Sequence, residues 1–252
     1  MKKGMAYEDE LINGDKDLLA LLKGADPADL GVLVDFLTDS GKGRLAMASD
    51  VRKALEHAKR QNKYSHDELL LLIRELQHFG GNSVANLVRR TGVPYAEIVR
   101  DVLKYVGGKI DNESVEMLEL KILEKLVAKA WEKMSERERA EFARNFHAAH
   151  GPLDLGLAAV LAAVRAGGLN AAKAALMAVG SVATLLAEGA FSVGASAVAG
   201  RAAGLALGPI GALVAGAAGV QMLAKEAYRV TVPCVAQIAY IRQKQAANAA
   251  AP

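Results

Sequence analysis

The stretch RELQHFGGNSVANLVRRTGVPYAEIVRDVLKYVG, residues 74–107, decides the fold class. Its apolar residues have helical spacing, which is broken first by Gly-Gly-Asn at 80–82 and again by Thr-Gly-Val-Pro at 91–94. Glycine can end one helix in a left-handed conformation, and Asn or Ser can cap the next helix. The pattern predicts short helices that pack against each other at a corner. We place four residues at this corner: His78, Gly80, Gly81 and Asn82.

Signals for the start of a helix recur along the N-terminal part of the chain. Ser65 with Glu68, and Ser135 with Glu138, have the spacing of a capping box, in which each side chain bonds the backbone of the other residue. Pro27 stands where a proline favours the first turn of a helix. No run of residues alternates between polar and apolar in the way that predicts a strand.

The sequence therefore predicts an all-α protein with three parts. They are a short N-terminal helical module (1–40), a charged helical bundle (41–150), and a region of Ala/Gly-rich apolar helices, arranged as a hairpin, with a C-terminal amphipathic helix (151–252). Asn112 is expected to cap the helix that follows it, and Pro233 to open the final helix.

The composition limits the partners that this chain can have. Hydrophobic residues make up 52% of the 252 residues and aromatic residues only 5%, so we expect a core of Ala, Leu, Val and Gly. A net charge of +3 does not by itself indicate a nucleic-acid partner. Cys234 is the single cysteine, so no internal disulfide can form, which fits a reducing, cytoplasmic compartment.

The most unusual feature of the sequence is an apolar segment near the C-terminal end. Residues 202–224 carry no charge, and 23 residues in a helix are long enough to cross a bilayer core of about 30 Å. Eight of them are Ala and five are Gly, so insertion would be only marginally favourable. Small residues recur every fourth position, which lets another backbone approach closely. This small-residue stripe consists of Gly204, Gly208, Ala212 and Gly216.

Three interpretations of this segment stay open: a tightly packed soluble hairpin, a hairpin that associates with a membrane, and a constitutive span. Basic residues follow the segment and would contact anionic lipid if it meets a membrane, although basic side chains on a helix are more often simply solvated. These residues are Lys225, Arg229, Arg242 and Lys244. A homo-oligomer that forms through the small-residue stripe is a further open alternative.

Residues 84–106 also have the spacing of a helix-turn-helix. A DNA-reading helix would present Tyr95, Ala96, Arg100 and Lys104, but Glu97 and Asp101 on the same helix cancel that charge. A nucleic-acid partner is therefore the weakest of the function hypotheses.

The sequence predicts no catalytic residue, no metal site and no cofactor. Glu75 and His78 form a single Glu-x-x-His, whereas di-iron bundles need two. Gly41-Lys42-Gly43-Arg44 lacks the full phosphate-binding loop. Cys234 lies in an apolar context, where cysteines are usually inert. We therefore expect a protein that is not an enzyme.

Two stretches resemble a known family. ELQHFGGNSVAN at 75–86 and AYRVTVPCVAQIAYIR at 227–242 are similar to the bacterial YaaW-like family, whose function is uncharacterised. The resemblance extends over roughly residues 30–245. The family is grouped distantly with the ubiquinol–cytochrome c chaperones, which implies an assembly or chaperone role at a membrane.

Our leading hypothesis is a membrane-associating helical protein whose apolar hairpin, residues 153–224, packs on or inserts into lipid. A pore-forming protein is a sharper form of the same hypothesis. The alternatives are a soluble assembly chaperone or scaffold for a helical membrane-protein client, and the DNA reader. The corresponding location is the cytoplasm, with attachment to or insertion in the inner membrane left open.

Overall fold

The computed structural model describes residues 10–41, 47–80, 92–140, 157–168, 172 and 220–250. Within these ranges all regular secondary structure is helical and no strand is present, which confirms the all-α prediction. The described helices are α1 (Lys16–Lys23), α2 (Pro27–Thr38), α3 (Ser49–Gln61), α4 (His66–Gly80), α5 (Tyr95–Tyr105), α6 (Val115–Lys133), α7 (Leu157–Ala166) and α8 (Val220–Ala249).

The chain divides into two compact units. The first unit comprises Met1–Asp101 and Ala217–Cys234, and the second comprises Val102–Gly216 and Val235–Pro252. Two helices, α5 and α8, therefore contribute to both units. The boundaries that the sequence suggested after residues 40 and 150 stay predictions.

Local sequence signals set several helix ends. Ser65 N–H donates to Glu68 Oε2 at 2.6 Å and Glu68 N–H to Ser65 Oγ at 3.4 Å, which is the reciprocal capping box predicted before α4. Ser135 and Glu138 make the same pair of bonds, at 2.7 and 3.4 Å. Pro27 is the first residue of α2, as its position predicts.

Two other helix ends differ from the sequence prediction. Ser114, not Asn112, caps α6, since its hydroxyl accepts the Met117 N–H. Pro233 does not open the final helix: α8 begins at Val220 and continues through this proline. Residues 230–239 are all buried, so packing on every face of α8 offsets the roughly 3 kcal/mol that an interior proline costs a helix.

In the first unit α4 is the central helix, because α1, α2 and α3 all contact it. The core between these helices is made of leucines and one isoleucine that are almost completely excluded from solvent. They are Leu22, Leu33, Leu37, Leu55, Leu72, Ile73 and Leu76.

One polar side chain lies inside this apolar environment. Gln77, in the last turn of α4, is only 1% exposed. Its amide nitrogen donates to Ile12 O and to Asp15 Oδ2, both at 2.6 Å, and its oxygen accepts from Asn13 Nδ2 at 3.0 Å. Every polar atom of the Gln77 amide group therefore has a partner, which is what allows this group to be buried.

The same bonds extend to the beginning of α5. Asn13 Nδ2 donates to Gly92 O at 2.9 Å, and the Tyr95 N–H donates to Asp15 Oδ2 at 2.7 Å. Asp15 precedes α1 but makes no side-chain cap there, and instead it caps the distant α5. We call these five residues, Asn13, Asp15, Gln77, Gly92 and Tyr95, the polar clasp.

The position of Asp15 in the polar clasp disfavours the charged form of its carboxyl group. Burial raises its pKa above the ordinary value, and the hydrogen bonds from Tyr95 N–H and Gln77 offset part of that rise. The polar clasp thus joins the chain before α1, the end of α4 and the start of α5, and it partly removes the Asp15 carboxylate from water.

The second unit is organised around α6. Its buried face consists of Leu118, Ile122, Leu123, Leu126, Val127 and Ala130, and α7 packs against this helix. Val160 and Val164 of α7 are completely buried. Among the helices in the described ranges, none combines the length and the apolar character that crossing a membrane requires.

Replacing Gln77 by leucine tests the polar clasp. We expect Gln77→Leu to destabilise the protein by about 2 kcal/mol or more, because Asp15 and Asn13 lose partners in a largely buried place. The measurement is the midpoint of urea unfolding. Gln61→Leu, the same change at the exposed end of α3, is the matched control and should leave the midpoint nearly unchanged. Equal midpoints for the two variants would contradict this role of the clasp.

Candidate functional site

The corner predicted around residues 78–82 is described in part. Gly80 is the last residue of α4, and a Cβ placed on it would lie 2.4 Å from Ile98 Cγ1 and 2.9 Å from Val93 Cγ2. A Cβ on Gly92 would lie 2.6 Å from the backbone carbon of Gln77. The end of α4 and the start of α5 therefore approach so closely that only glycine fits at both positions. Gly81 and Asn82 lie outside the described residues.

A carboxylate and an imidazole lie side by side just before this corner. Glu75 is 5% exposed, and its Oε1 lies 4.0 Å from Nδ1 of the half-exposed His78. Burial raises the pKa of Glu75, with the charge of Arg74 acting in the opposite direction. Burial also lowers the pKa of His78, and Arg74 adds to that effect. Both groups are thereby pushed toward their neutral forms, so the pair is a weak ion pair.

Glu75 and His78 do not extend to a larger ligand set in the part of the chain that the structure describes. No group of three His, Cys, Asp or Glu side chains there could hold a metal ion. His147 and His150, which are three residues apart in the sequence, lie outside the described residues.

The arrangement of α5 argues against its use as a DNA-reading helix. Arg100 and Lys104 are exposed, but Tyr95 is only 3% exposed and its backbone belongs to the polar clasp. The expectation that Tyr95 would face a DNA groove is wrong, because its side chain is buried at the start of α5.

The small-residue stripe at Gly204, Gly208, Ala212 and Gly216 lies outside the described residues. The two helices that flank this part of the sequence, α7 and α8, are described, and both belong at least in part to the second unit. The contacts that hold α7 and α8 on α6 are therefore the described part of the candidate site.

The C-terminal half of α8 is attached to α6 by a buried ion pair. Arg242 Nε lies 2.8 Å from Glu119 Oε2, and Arg242 Nη2 lies 3.1 Å from Glu119 Oε1. The side chain of Glu119 is 1% exposed and that of Arg242 is 20% exposed. A third, longer contact of 3.6 Å joins Arg242 Nη1 to the half-exposed Glu116. This two-pronged geometry is the strongest form of arginine–carboxylate pairing.

Two further contacts hold α7 in the same unit. Arg165, at the end of α7, lies 2.6 Å from Glu124 of α6, with most of the arginine side chain exposed. Gly168 N–H donates to Gln243 Oε1 of α8 at 2.7 Å. Gly167 and Gly168 both have positive φ angles, of 74° and 102°, which only glycine adopts readily. The chain therefore turns sharply at the point where α7 ends.

The other basic residues after the apolar segment have different surroundings. Arg229 is partly buried in α8, and Lys244 Nζ lies 5.9 Å from the centre of the Tyr240 ring. Lys225 belongs to α8, but its side chain is not described. Lipid contact by Lys225, Arg229, Arg242 and Lys244 stays a prediction.

Local sequence patterns do not identify Glu119, Gln77 or Gln243 as site residues. A signal for the first was available, since Glu119 directly follows Leu118 on the face that contains Ile122 and Leu126, and a charge on such a face requires a partner. The identity of that partner, 123 residues away, could not be read from local spacing.

Replacing Arg242 by methionine should destabilise the protein by about 3–5 kcal/mol, because the buried Glu119 would lose the counter-charge of Arg242. Glu124→Gln, which breaks the mostly exposed pair with Arg165, should change the stability far less, because exposed ion pairs contribute little. Urea unfolding of both variants measures the difference. The double variant Arg242→Met/Glu119→Leu should regain most of the loss, and failure to regain any of it would contradict the ion-pair explanation.

Glu75→Gln should stabilise the protein at neutral pH. The folded-state pKa of Glu75 lies above its ordinary value of 4.5, so the stability that it contributes is present below that value and is lost as pH rises through the folded-state pKa. The advantage of the variant should thus shrink as pH falls toward 4.5. Melting temperatures of the two proteins across that range measure it. Glu97→Gln, at an exposed position of α5, is the control, and an advantage independent of pH would contradict the assignment.

Comparison with known proteins gives a consistent result. No protein-family model matches the chain, and no solved structure matches it. A UPF0174 protein of Helicobacter pylori is 33% identical over 213 residues, which cover 79% of this chain and 98% of the relative. The UPF0174 protein YaaW of Escherichia coli K12 is 33% identical over 248 residues, covering 93% of this chain and 96% of the relative.

These names state no activity, so a function has to be argued from the residues of this chain. A sequence identity of 33% over most of this chain and nearly all of each relative is enough to assign the family. The protein belongs to the UPF0174 (YaaW) family.

Proposed function

We propose that this protein is a non-enzymatic, membrane-associating helical protein in which residues 153–224 contain the lipid-binding element. The observation that carries this proposal is the charge pattern between two anchored helices. From residue 174 to residue 224 only Glu188 and Arg201 are charged, while the flanking helices α7 and α8 are both tied to α6 by side chains.

The apolar segment has the chemistry of a surface that is buried against something apolar. Exposing apolar side chains to water costs free energy roughly in proportion to the apolar area exposed. Its Ala and Gly content makes a stable span only marginally favourable, and this favours packing on lipid over constitutive insertion. A helical client protein would offer the same kind of surface, with small residues allowing close approach.

Helices α6, α7 and α8 could support this segment from both ends. Arg165 ties the end of α7 to Glu124, and Arg242 ties α8 to Glu119. Both glutamates lie on α6, so the helix that precedes the segment and the helix that follows it share one support. A segment supported at both ends can change its contacts without loss of the helices that carry it.

The buried polar groups of the described residues support the non-enzymatic part of the proposal. Gln77 and Glu119 are among the most buried polar side chains, and the hydrogen bonds of each join helices or chain segments. Their partners are groups of the chain itself, which is the arrangement expected of structural residues.

Placing a charge in the apolar segment tests the proposal in the full-length protein. Leu213→Asp should reduce flotation with vesicles of phosphatidylglycerol and phosphatidylethanolamine by about tenfold, because an aspartate in an apolar lipid contact costs over 2 kcal/mol. Flotation in a density gradient is the measurement. Met117→Asp, the same new charge at an exposed position of α6, is the matched control and should float like the unmodified chain.

Deletion of residues 153–224 should abolish flotation as well. Equal flotation of the unmodified chain, Leu213→Asp and the deletion variant would refute lipid binding by this segment. Retention of a helical membrane-protein client without lipid, lost in Leu213→Asp, would instead favour an assembly-chaperone role.

A further inference from the structure

Positive charge is concentrated in and around α3. Residues 42–63 contain seven Lys and Arg residues and only two acidic residues, a surplus of five, whereas the whole chain has a net charge of +3. The rest of the chain is therefore slightly acidic. A concentration of this kind indicates a negatively charged partner more strongly than the net charge of the chain does.

One side of α3 is fixed against the first unit. Only Leu55 and Ala58 of its thirteen residues are buried. Lys59 donates to both carboxylate oxygens of Asp35 in α2, so apolar and charged contacts together orient the helix. The opposite side of α3 is therefore held toward solvent.

The side of α3 that faces solvent is basic. Successive residues of a helix turn by about 100°, so Lys53, His57 and Arg60 fall within about 60° of one another, opposite the buried side. All three are exposed. Lys63, also exposed, extends the row past the helix end, where its N–H donates to Ala58 O at 3.1 Å. We call Lys53, His57, Arg60 and Lys63 the basic face.

The two acidic residues of α3 offset little of this charge. Glu56 Oε2 lies 3.7 Å from Arg60 Nη1, and 65% of the arginine side chain is exposed, so the contact is a weak one. Asp50 lies in the first turn of the helix, where a negative charge is favoured by the helix dipole. The basic face thus keeps most of its positive charge.

We propose that the basic face docks the first unit on the surface of a membrane that contains anionic lipid. A row of exposed basic side chains on a fixed helix complements a plane of lipid phosphates, and each Lys or Arg near such a surface strengthens binding about fivefold. Nucleic acid fits less well, because its binding depends on neutralising many phosphates or on aromatic stacking, and the row contains no aromatic residue.

This inference rests on the proposed membrane association, and it names the lipid class and a surface that recognises it. Binding at a membrane interface combines burial of apolar area with attraction to anionic lipid. An apolar element that inserts only marginally gains from a second, electrostatic contact. The basic face supplies that contact from described residues, independently of residues 153–224.

Neutralising the basic face in the full-length protein tests the proposal. Lys53→Gln/Arg60→Gln/Lys63→Gln, the face variant, removes its three permanent charges. We expect its partition onto vesicles of phosphatidylglycerol and phosphatidylethanolamine, measured by flotation, to fall about tenfold or more at about 0.1 M salt. At about 1 M salt the difference from the unmodified chain should disappear, because the screening length falls to about 3 Å.

A matched control separates the basic face from net charge. Lys109→Gln/Lys129→Gln/Arg137→Gln also removes two lysines and one arginine, all at exposed positions outside α3. It should partition like the unmodified chain. Phosphatidylcholine vesicles, which carry no net charge, should bind all three proteins equally.

A single substitution keeps the test decisive if the face variant is unstable. Arg60 and Lys63 lie at the C-terminal end of α3, where positive charge also stabilises the helix. Lys53→Gln, near the other end, should lower the partition about fivefold without that effect. Thermal melting followed by circular dichroism measures the stability of each variant.

The outcomes separate this inference from the proposed function. Equal partition of the face variant and the unmodified chain would overturn the inference, as would an equal loss in the control. Loss in the face variant with full binding by Leu213→Asp would support the basic face and refute lipid binding by residues 153–224, and the reverse result would do the opposite. A salt-sensitive shift of duplex DNA by the unmodified chain, without any flotation, would overturn both.

Discussion

Burying a polar side chain costs free energy unless the group is hydrogen-bonded, and one such group in each unit, Gln77 and Glu119, restrains the arrangement of helices there. In the first unit Gln77 is buried where residues before α1 supply partners for its amide group, namely Ile12 O, Asn13 and Asp15. In the second unit the buried Glu119 is paired with Arg242, which reaches it from α8. Apolar burial supplies most of the stability, but leucines alone would allow many alternative packings.

Close backbone approach is the second constraint, and it operates where the polar bonds act. Gly80 and Gly92 let α4 and the start of α5 approach within a distance that any Cβ would prevent, next to the hydrogen bonds of Gln77. Gly167, at the end of α7 and next to Gln243, is required for a different reason, since its φ of 74° is one that other residues rarely adopt. Glycine thus provides the space, and the adjacent amide side chain fixes the position. The motif around ELQHFGG combines both in seven residues, which gives its spacing a structural reason.

Interactions between near neighbours could be predicted from the sequence, and those between distant residues could not. The all-α class and the capping boxes at Ser65 and Ser135 follow from spacings of three or four residues. Pro233 was misjudged because a local rule was applied to a helix that is packed on all sides. Asp15 stands directly before α1, yet its side chain accepts the backbone N–H of Tyr95, 80 residues away. The partner of the buried Glu119, Arg242, is likewise too far away in the sequence, at 123 positions, to be predicted from local spacing.

An ion pair suits the support of an apolar segment better than an apolar contact would. An apolar contact between α6 and α8 could be replaced by lipid chains or by the segment itself, because dispersion and burial do not distinguish one apolar surface from another. The Glu119–Arg242 pair demands a specific geometry, and neither lipid tails nor Ala and Gly side chains can satisfy it. In the proposed function the helices that flank the segment and the segment itself therefore use different chemistry. In that role, the segment can be apolar without competing for the contacts that keep its flanking helices in place.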